Sequence, residues 1–397
     1  MSVVDTAKPK SAPRTALLYN PKVRGIVYQA LLCALIAFLA WGAITNAAEN
    51  LARAKIASGF GFWDNTAGFD ISQHLIEYTT ASTYGRAFWV GLLNTLLVAA
   101  LGVVFATVLG FIIGIARLST NWLVARLAAV YVELIRNLPL LLQLLFWYNA
   151  VLKVLPEMRD SLGLPGGGFL NNRGLFLPQP VFKDGFGAVL IALLVGIAAS
   201  VAFRIWAKRR QMRTGQQAPV FRVTAALVFG LPLIALVLTG FPVEFLYPEK
   251  GRFNIRGGIE VLPEFMALLF GLVIYTAAFI AEVVRAGILS VSKGQTEAAY
   301  SLGLRPGLTL RLVVVPQAMR VIIPPLTSQY LNLTKNSTLA VAIGYPDLVQ
   351  IFAGTVLNQT GQAVEVVIIT MGVYLTISLI TSFLMNLYNR RMALAER

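Results

Sequence analysis

Long apolar runs separated by short polar intervals dominate the chain, and a helix needs about 20 apolar residues to cross the hydrocarbon core of a bilayer. Eight stretches are long enough: 25–47, 88–116, 127–152, 186–207, 223–240, 265–284, 321–343 and 363–387. The pattern predicts an all-α, polytopic membrane protein with about eight transmembrane helices. The first stretch is too long and starts too late to be a cleaved signal peptide, so it reads as an anchor that stays. Between the first two stretches, 49–85 opens with a short amphipathic piece. It continues through Gly59-Phe60-Gly61-Phe62-Trp63, which is expected to be an interfacial anchor. The interval 155–185, with Leu164-Pro165-Gly166-Gly167-Gly168, reads as an ordered but irregular loop, and 208–221 as a polar, basic linker.

Composition agrees with this pattern. Of 397 residues, 57% are apolar and 13% charged, where a soluble chain carries about 25% charge. The formal charge of +15 does not indicate nucleic acid, because the basic residues lie between apolar runs and not on a soluble face. With the N-terminus in the cytoplasm, the inner segments hold 20 basic residues against three acidic ones. The outer segments hold ten basic and twelve acidic. That bias sets the orientation, with both termini cytoplasmic and a contribution from anionic lipid heads. One cysteine (Cys33) and one histidine (His74) rule out a disulfide framework and a Cys/His metal site, and no catalytic set is expected.

The segment 285–320 departs from the pattern. Thr296 is expected to cap a short helix, with Glu297 in its first turn, where the helix dipole favours negative charge. Ala298 and Ala299 are small helix formers that admit a close neighbour, Gly303 suits a left-handed stop, and Pro306 prevents continuation. The result is a knob of about two turns, Glu297–Leu302, between two spans.

Glu297-Ala298-Ala299, three residues, Gly303, nine residues, and Val313-x-Val315-Pro316 resemble the cytoplasmic motif of permease subunits of ABC importers. In that motif Ile and Leu stand where this chain has Val313 and Val315. Tyr131–Leu144 (YVELIRNLPLLLQL), Glu282–Ser290 (EVVRAGILS) and Gln329–Leu339 (QYLNLTKNSTL) resemble segments of the polar amino acid (histidine/glutamine-type) branch. The extended form is similar to the larger permease of general L-amino acid importers. The resemblance implies an ABC type I importer transmembrane domain with extra spans, in a bacterial inner membrane. It implies as partners a second homologous permease, two ATPase subunits, a periplasmic amino-acid-binding protein, membrane lipid and an L-amino acid substrate. It assigns ATPase coupling to Glu297, Ala298, Ala299, Gly303 and Pro316. No lysine follows a glycine, so a phosphate-cradling Gly-Lys-Ser/Thr step is absent. No cofactor is expected in this chain, with ATP and Mg²⁺ bound by the partner ATPase.

On this reading the chain divides into a cytoplasmic tail (1–24), a first span with its amphipathic segment (25–87) and a first part of the permease core (88–152). An insertion with two extra spans and the basic linker follows (153–262). The second core part (263–388) contains the coupling region (286–320), and 389–397 is a tail. Charges inside spans are costly and face a cavity or a partner. Glu133, Arg136 and Lys335 lie well inside. Glu133 and Arg136 can neutralise each other at i,i+3 or, with Asn137 and a kink at Pro139, form a gate. Asn332, Lys335, Asn336, Ser337 and Thr338 form a polar block suited to a zwitterion or to helix–helix hydrogen bonds, and Lys335 can reach Glu282. Glu365, near a span end, is expected to reach the interface. Alternatives left open are an ion-coupled secondary transporter, an ABC permease for another small solute, and a membrane-embedded enzyme, for which one histidine is a poor start.

Overall fold

The computed structural model describes residues 21–53, 58–251 and 254–392. Eleven helices are numbered α1 to α11. They are α1 (Pro21–Arg53), α2 (Tyr84–Ala116), α3 (Trp122–Asn137), α4 (Leu140–Leu152), α5 (Phe186–Thr214), α6 (Val220–Leu238), α7 (Pro263–Leu289), α8 (Lys293–Ser301), α9 (Pro306–Ile343), α10 (349–360) and α11 (Ala363–Met392). Seven of these are long and apolar enough to span a membrane, and the bent pair α3/α4 makes an eighth. Most of the expected tail 1–24 and the end of the tail 389–397 lie outside the described residues. The parts inside, 21–24 and 389–392, continue α1 and α11.

α7 is the central helix. Over half of its most apolar window (56%) is buried, against none of α1's. It runs parallel to α2 at close quarters, and a Cβ on Gly110 would stand 2.6 Å from Ile280. Ala277, Ile280 and Ala281 on the facing side are fully buried. Small residues set this spacing, since between membrane helices contact must come from packing and not from release of water. α9 returns antiparallel, with Ile322 against Gly287 and Leu333 against Gly102.

The third span is broken. α3 and α4 meet at 105°, much more than the kink expected at Pro139. Leu138 is extended (φ −99°, ψ 131°), the backbone region that a following proline ring favours. The carbonyls freed by the break are met by Gln143, whose amide donates to Ile135 O and Leu138 O, each at 3.0 Å. At one end Glu133 faces Arg117, which also holds Glu282. At the other end Tyr148 donates to Glu264 at 2.6 Å. Glu264 and Glu282 are about 27 Å apart along α7 at 1.5 Å per residue, so the two limbs together traverse it as one crossing.

Other segments differ from their sequence reading. The Gly/Pro-rich interval is built of short antiparallel strands: β1 (Leu162–Leu164), β2 (Gly168–Asn171), β3 (Gly174–Leu177) and β4 (Gln179–Phe182). Pro165-Gly166-Gly167 is the β1–β2 turn, with both glycines at positive φ. Beyond α6 come β5 (Val243–Leu246), β6 (Glu249–Lys250), β7 (Ile255–Arg256) and β8 (Ile259–Val261). β8 pairs with β3 and β5 with β4, stitching the two ends of the insertion together. The linker expected from residue 208 is helical to Thr214. Within the Gly59–Trp63 segment Phe60 is exposed while Trp63 turns inward. Trp63 packs on Phe88 (5.2 Å) and Phe352 (6.0 Å), and Phe62 is buried beside it. Glu365 is buried too and accepts the N–H of Gly59.

Candidate functional site

Three groups of residues hold the side chains singled out in the sequence. The first is α8, which follows α7 after a three-residue turn, Ser290–Ser292. It begins at Lys293, four residues before the expected start, with Ser292 at the cap position and no side-chain cap bond. Thr296 and Glu297 therefore lie in the middle of the helix, not at its cap and first turn. The stop is as expected: Gly303 has φ +74°. Leu304 N–H donates to Ala299 O (3.1 Å) and Gly303 N–H to Tyr300 O (2.8 Å), a paired closure of the last turn. Ala299 is 3% exposed and faces the protein, so the two alanines do not act alike. Glu297, Ala298, Tyr300 and Leu302 face outward, Leu302 being 82% exposed. A Gln317–Gln295 hydrogen bond (3.3 Å) ties α8 to α9. Pro316 is partly buried inside α9, just after a wide turn at Leu310–Val314 that accommodates its missing N–H. It shapes α9 and lies apart from the outward face of α8.

The second group lines a cavity of about 290 Å³ between α7 and α9, formed by Tyr275, Thr276 and Phe279 opposite Gln329, Asn332 and Asn336. That volume is at the lower end for small-molecule sites. Three carboxamides on one helical face offer both donors and acceptors, as a zwitterion requires. The Arg136 guanidinium lies 5.1 Å from the centroid of the Phe279 ring, which forms one wall. Of the polar block expected to act together, only Asn332 and Asn336 reach the cavity. The Ser337 hydroxyl donates to Thr334 O and that of Thr338 to Lys335 O, each at 2.8 Å. Lys335 is exposed and makes no ion pair among the described residues.

The third group is a charge cluster. Glu282 is held by Arg117 and, at 2.6 Å, by Arg285, so Lys335 does not reach it. Glu133 and Arg136 do not neutralise each other. Glu133 is 3.9 Å from Arg117 and Arg136 lies against Phe279. Glu133 and Asn137 border a shallow groove on α3, separate from the α7–α9 cavity. The Arg117 side chain is 13% exposed, so loss of its carboxylate partner leaves a poorly solvated cation. Glu282→Gln is expected to cost about 1–3 kcal/mol and Arg285→Gln less. Melting of the two variants in detergent checks the order.

Several residues here carry no charge to mark them within the spans. Tyr275, Thr276 and Phe279 are single residues in an apolar helix. Asn94 and Thr95 are fully buried in α2. Asn94 donates to Gln73 O and Pro346 O (2.8 Å each), and Thr95 Oγ1 accepts from Leu348 N–H (3.0 Å). They pin the turn at 344–348, where buried Asp347 accepts from Gln350 N–H (2.7 Å). An amide and a hydroxyl inside a long apolar run are the signal that would have drawn attention to them.

Comparison with known proteins gives a family. Residues 218–394 match the model described as binding-protein-dependent transport system inner membrane component. The chain is 55% identical to the general L-amino acid transport system permease protein AapQ of Rhizobium johnstonii, over 96% of this chain and 95% of that one. It is 53% identical to the putative amino-acid ABC transporter permease protein YhdX of Escherichia coli, over 95% and 96%. A shorter relative, the probable glutamine ABC transporter permease protein GlnM of Bacillus subtilis, is 35% identical. There, 55% of this chain covers 96% of the relative.

Proposed function

The chain belongs to the permease family of binding-protein-dependent ABC transporters, a transport component and not an enzyme, and from that premise we propose that it carries L-amino acids inward by alternating access driven by separate ATPase subunits. The observation that carries this reading is the presentation of α8. Ala299 fixes it to the body, Gly303 ends it, and Glu297, Ala298, Tyr300 and Leu302 are left facing out at the end where α7 and α9 meet. A helix anchored on one side and open on the other transmits a partner's movement to both spans at once, as rigid-body switching requires. Mg²⁺-ATP is bound and hydrolysed in that partner.

The multi-pass topology follows the helix count. With eight crossings both termini lie on the side of α8, and the excess of Lys and Arg there makes that side the cytoplasm. On the opposite side, the strands β1–β8 and the Trp63 segment meet a substrate-loaded binding protein. A second, homologous permease covers the exposed side chains of Arg136, Lys335 and Asn332, completing the pathway beside the α7–α9 cavity. The length beyond that of the shorter glutamine permease marks the extended form of the family.

Reconstitution tests the proposal. Uptake of an L-amino acid by proteoliposomes is expected to need this chain, a partner permease, ATPase subunits, binding protein and ATP. Uptake by this chain alone under an ion gradient would overturn it. The Gln329→Leu/Asn332→Leu variant is expected to lower uptake about tenfold, equivalent to ~1.4 kcal/mol. ATPase attachment, measured by co-purification, is expected to be unchanged, since the cavity is remote from the outward face of α8.

A further inference from the structure

The hairpin of α5 and α6 has no acidic residue between Asp184 and Glu244, yet carries Arg204, Lys208, Arg209, Arg210, Arg213 and Arg222. All six are exposed, and none forms an ion pair among the described residues. Their one side-chain hydrogen bond, among the described residues, is from Arg210 to Gln216 (3.1 Å), and the Arg210 guanidinium lies over the Trp206 ring at 5.4 Å. The main packing partners of α5 are within the hairpin itself, so the body of the protein does not neutralise this charge.

Depth decides what does. α5 has 29 residues, about 43 Å of helix, whereas the hydrocarbon core is about 30 Å thick. Counting about 20 residues of core from Phe186, the helix leaves it near Ile205. Trp206 then lies at the boundary, and Lys208 to Arg213 lie at headgroup level. The α6 limb re-enters with Phe221, 84% exposed, next to Arg222, while Trp206 is 49% exposed and Met212 82%. Trp206 and Met212 flank the run Lys208-Arg209-Arg210, and Phe221 adjoins Arg222. That mixture suits a surface which is phosphate on one side and hydrocarbon on the other, whereas the acidic face of a soluble partner offers no place for Trp206 and Phe221.

We propose that this end of the α5–α6 hairpin is a binding site for anionic phospholipid, whose phosphate oxygens are gathered by Lys208, Arg209, Arg210 and Arg213 while Trp206 and Phe221 seat beside the acyl chains. Guanidinium groups hold phosphate by two parallel N–H donors, and four of the six cations are within two turns of one helix. Bound lipid fixes a hairpin that the rest of the chain hardly touches.

The test is retention of lipid by the full chain purified from mixed micelles of dioleoylphosphatidylglycerol and dioleoylphosphatidylcholine, read by native mass spectrometry. The wild-type chain is expected to favour the anionic lipid by about tenfold, with glycerol phosphate failing to compete. The K208Q/R209Q/R210Q/R213Q variant is expected to lose the preference, while R209K/R210K/R213K, which keeps the charge and therefore the insertion signal, retains most of it. A wild-type chain without preference overturns the proposal, as does equal retention by the four-glutamine variant. Lipid retention unchanged in that variant, with loss of co-purifying partner subunits, would mean that the cations serve a protein surface, and would overturn it equally.

Discussion

Gly110→Leu is expected to separate α2 from α7 and to give a protein that is poorly monodisperse in detergent and melts well below the wild type. A Cβ at Gly110 would stand 2.6 Å from both Cβ and Cγ2 of Ile280 and 3.0 Å from the carbonyl oxygen of Ala277. These are backbone and branched-carbon atoms, with no flexible end to swing aside. Ile280 and Ala277 are fully buried, so relief requires moving a whole helix. Overpacking of this kind costs about 1–3 kcal/mol for a tolerated insertion, and a leucine exceeds what the site can absorb. Because α7 also packs against α9 and α4, the displacement spreads to the cavity wall at Tyr275–Phe279. The control is Gly42→Leu in α1, where a Cβ meets nothing within 4 Å. That variant is expected to melt within about 2 °C of wild type, since a few degrees correspond to ~1 kcal/mol. Equal stability of the two variants would refute the close α2–α7 approach.

The sequence carries the spans well because length and apolarity are the two properties a bilayer demands, and each of the eight runs overlaps a helix or the α3/α4 pair. It carries their ends less well. α5 continues to Thr214 and α9 begins at Pro306 because polar helix beyond the core looks like loop when hydropathy is the only guide. The strands were hidden by Pro165-Gly166-Gly167, a turn that resembles irregular structure unless the short runs on either side are paired. Pro139 announced a bend, but its 105° depends on Gln143 being placed to satisfy Ile135 and Leu138. The spacing of Glu133 and Arg136 suggested a pair, whereas Glu133 is turned toward Arg117 and Arg136 toward Phe279.

The candidate site was legible in the same uneven way. Asn332 and Asn336 stood out as polar groups in an apolar helix, whereas the facing wall reads as ordinary packing. Gly303 was recognisable because only glycine takes its backbone without strain. The start of α8 was not, since Ser292 marks it without a side-chain bond.

The central claim is that α8 passes work from a nucleotide-burning partner into spans that have no fuel of their own. Glu297 is exposed and its carboxylate has no hydrogen-bond or ion-pair partner among the described residues, so Glu297→Lys removes nothing internal and reverses the charge presented to the partner. Gly303 at φ +74° becomes strained by roughly 1–2 kcal/mol with any side chain, and a β-branched valine opens the closure at Ala299 and Tyr300. The damage stays local, because a Cβ at Gly303 meets nothing within 4 Å. The most direct measurement is ATP-driven uptake and ATPase co-purification for Glu297→Lys/Gly303→Val in the reconstituted complex, with membrane insertion checked in the same sample. Motor attachment and import falling together by about tenfold or more, in a normally inserted chain, is the outcome this account expects. Full attachment and full import in that variant would contradict it.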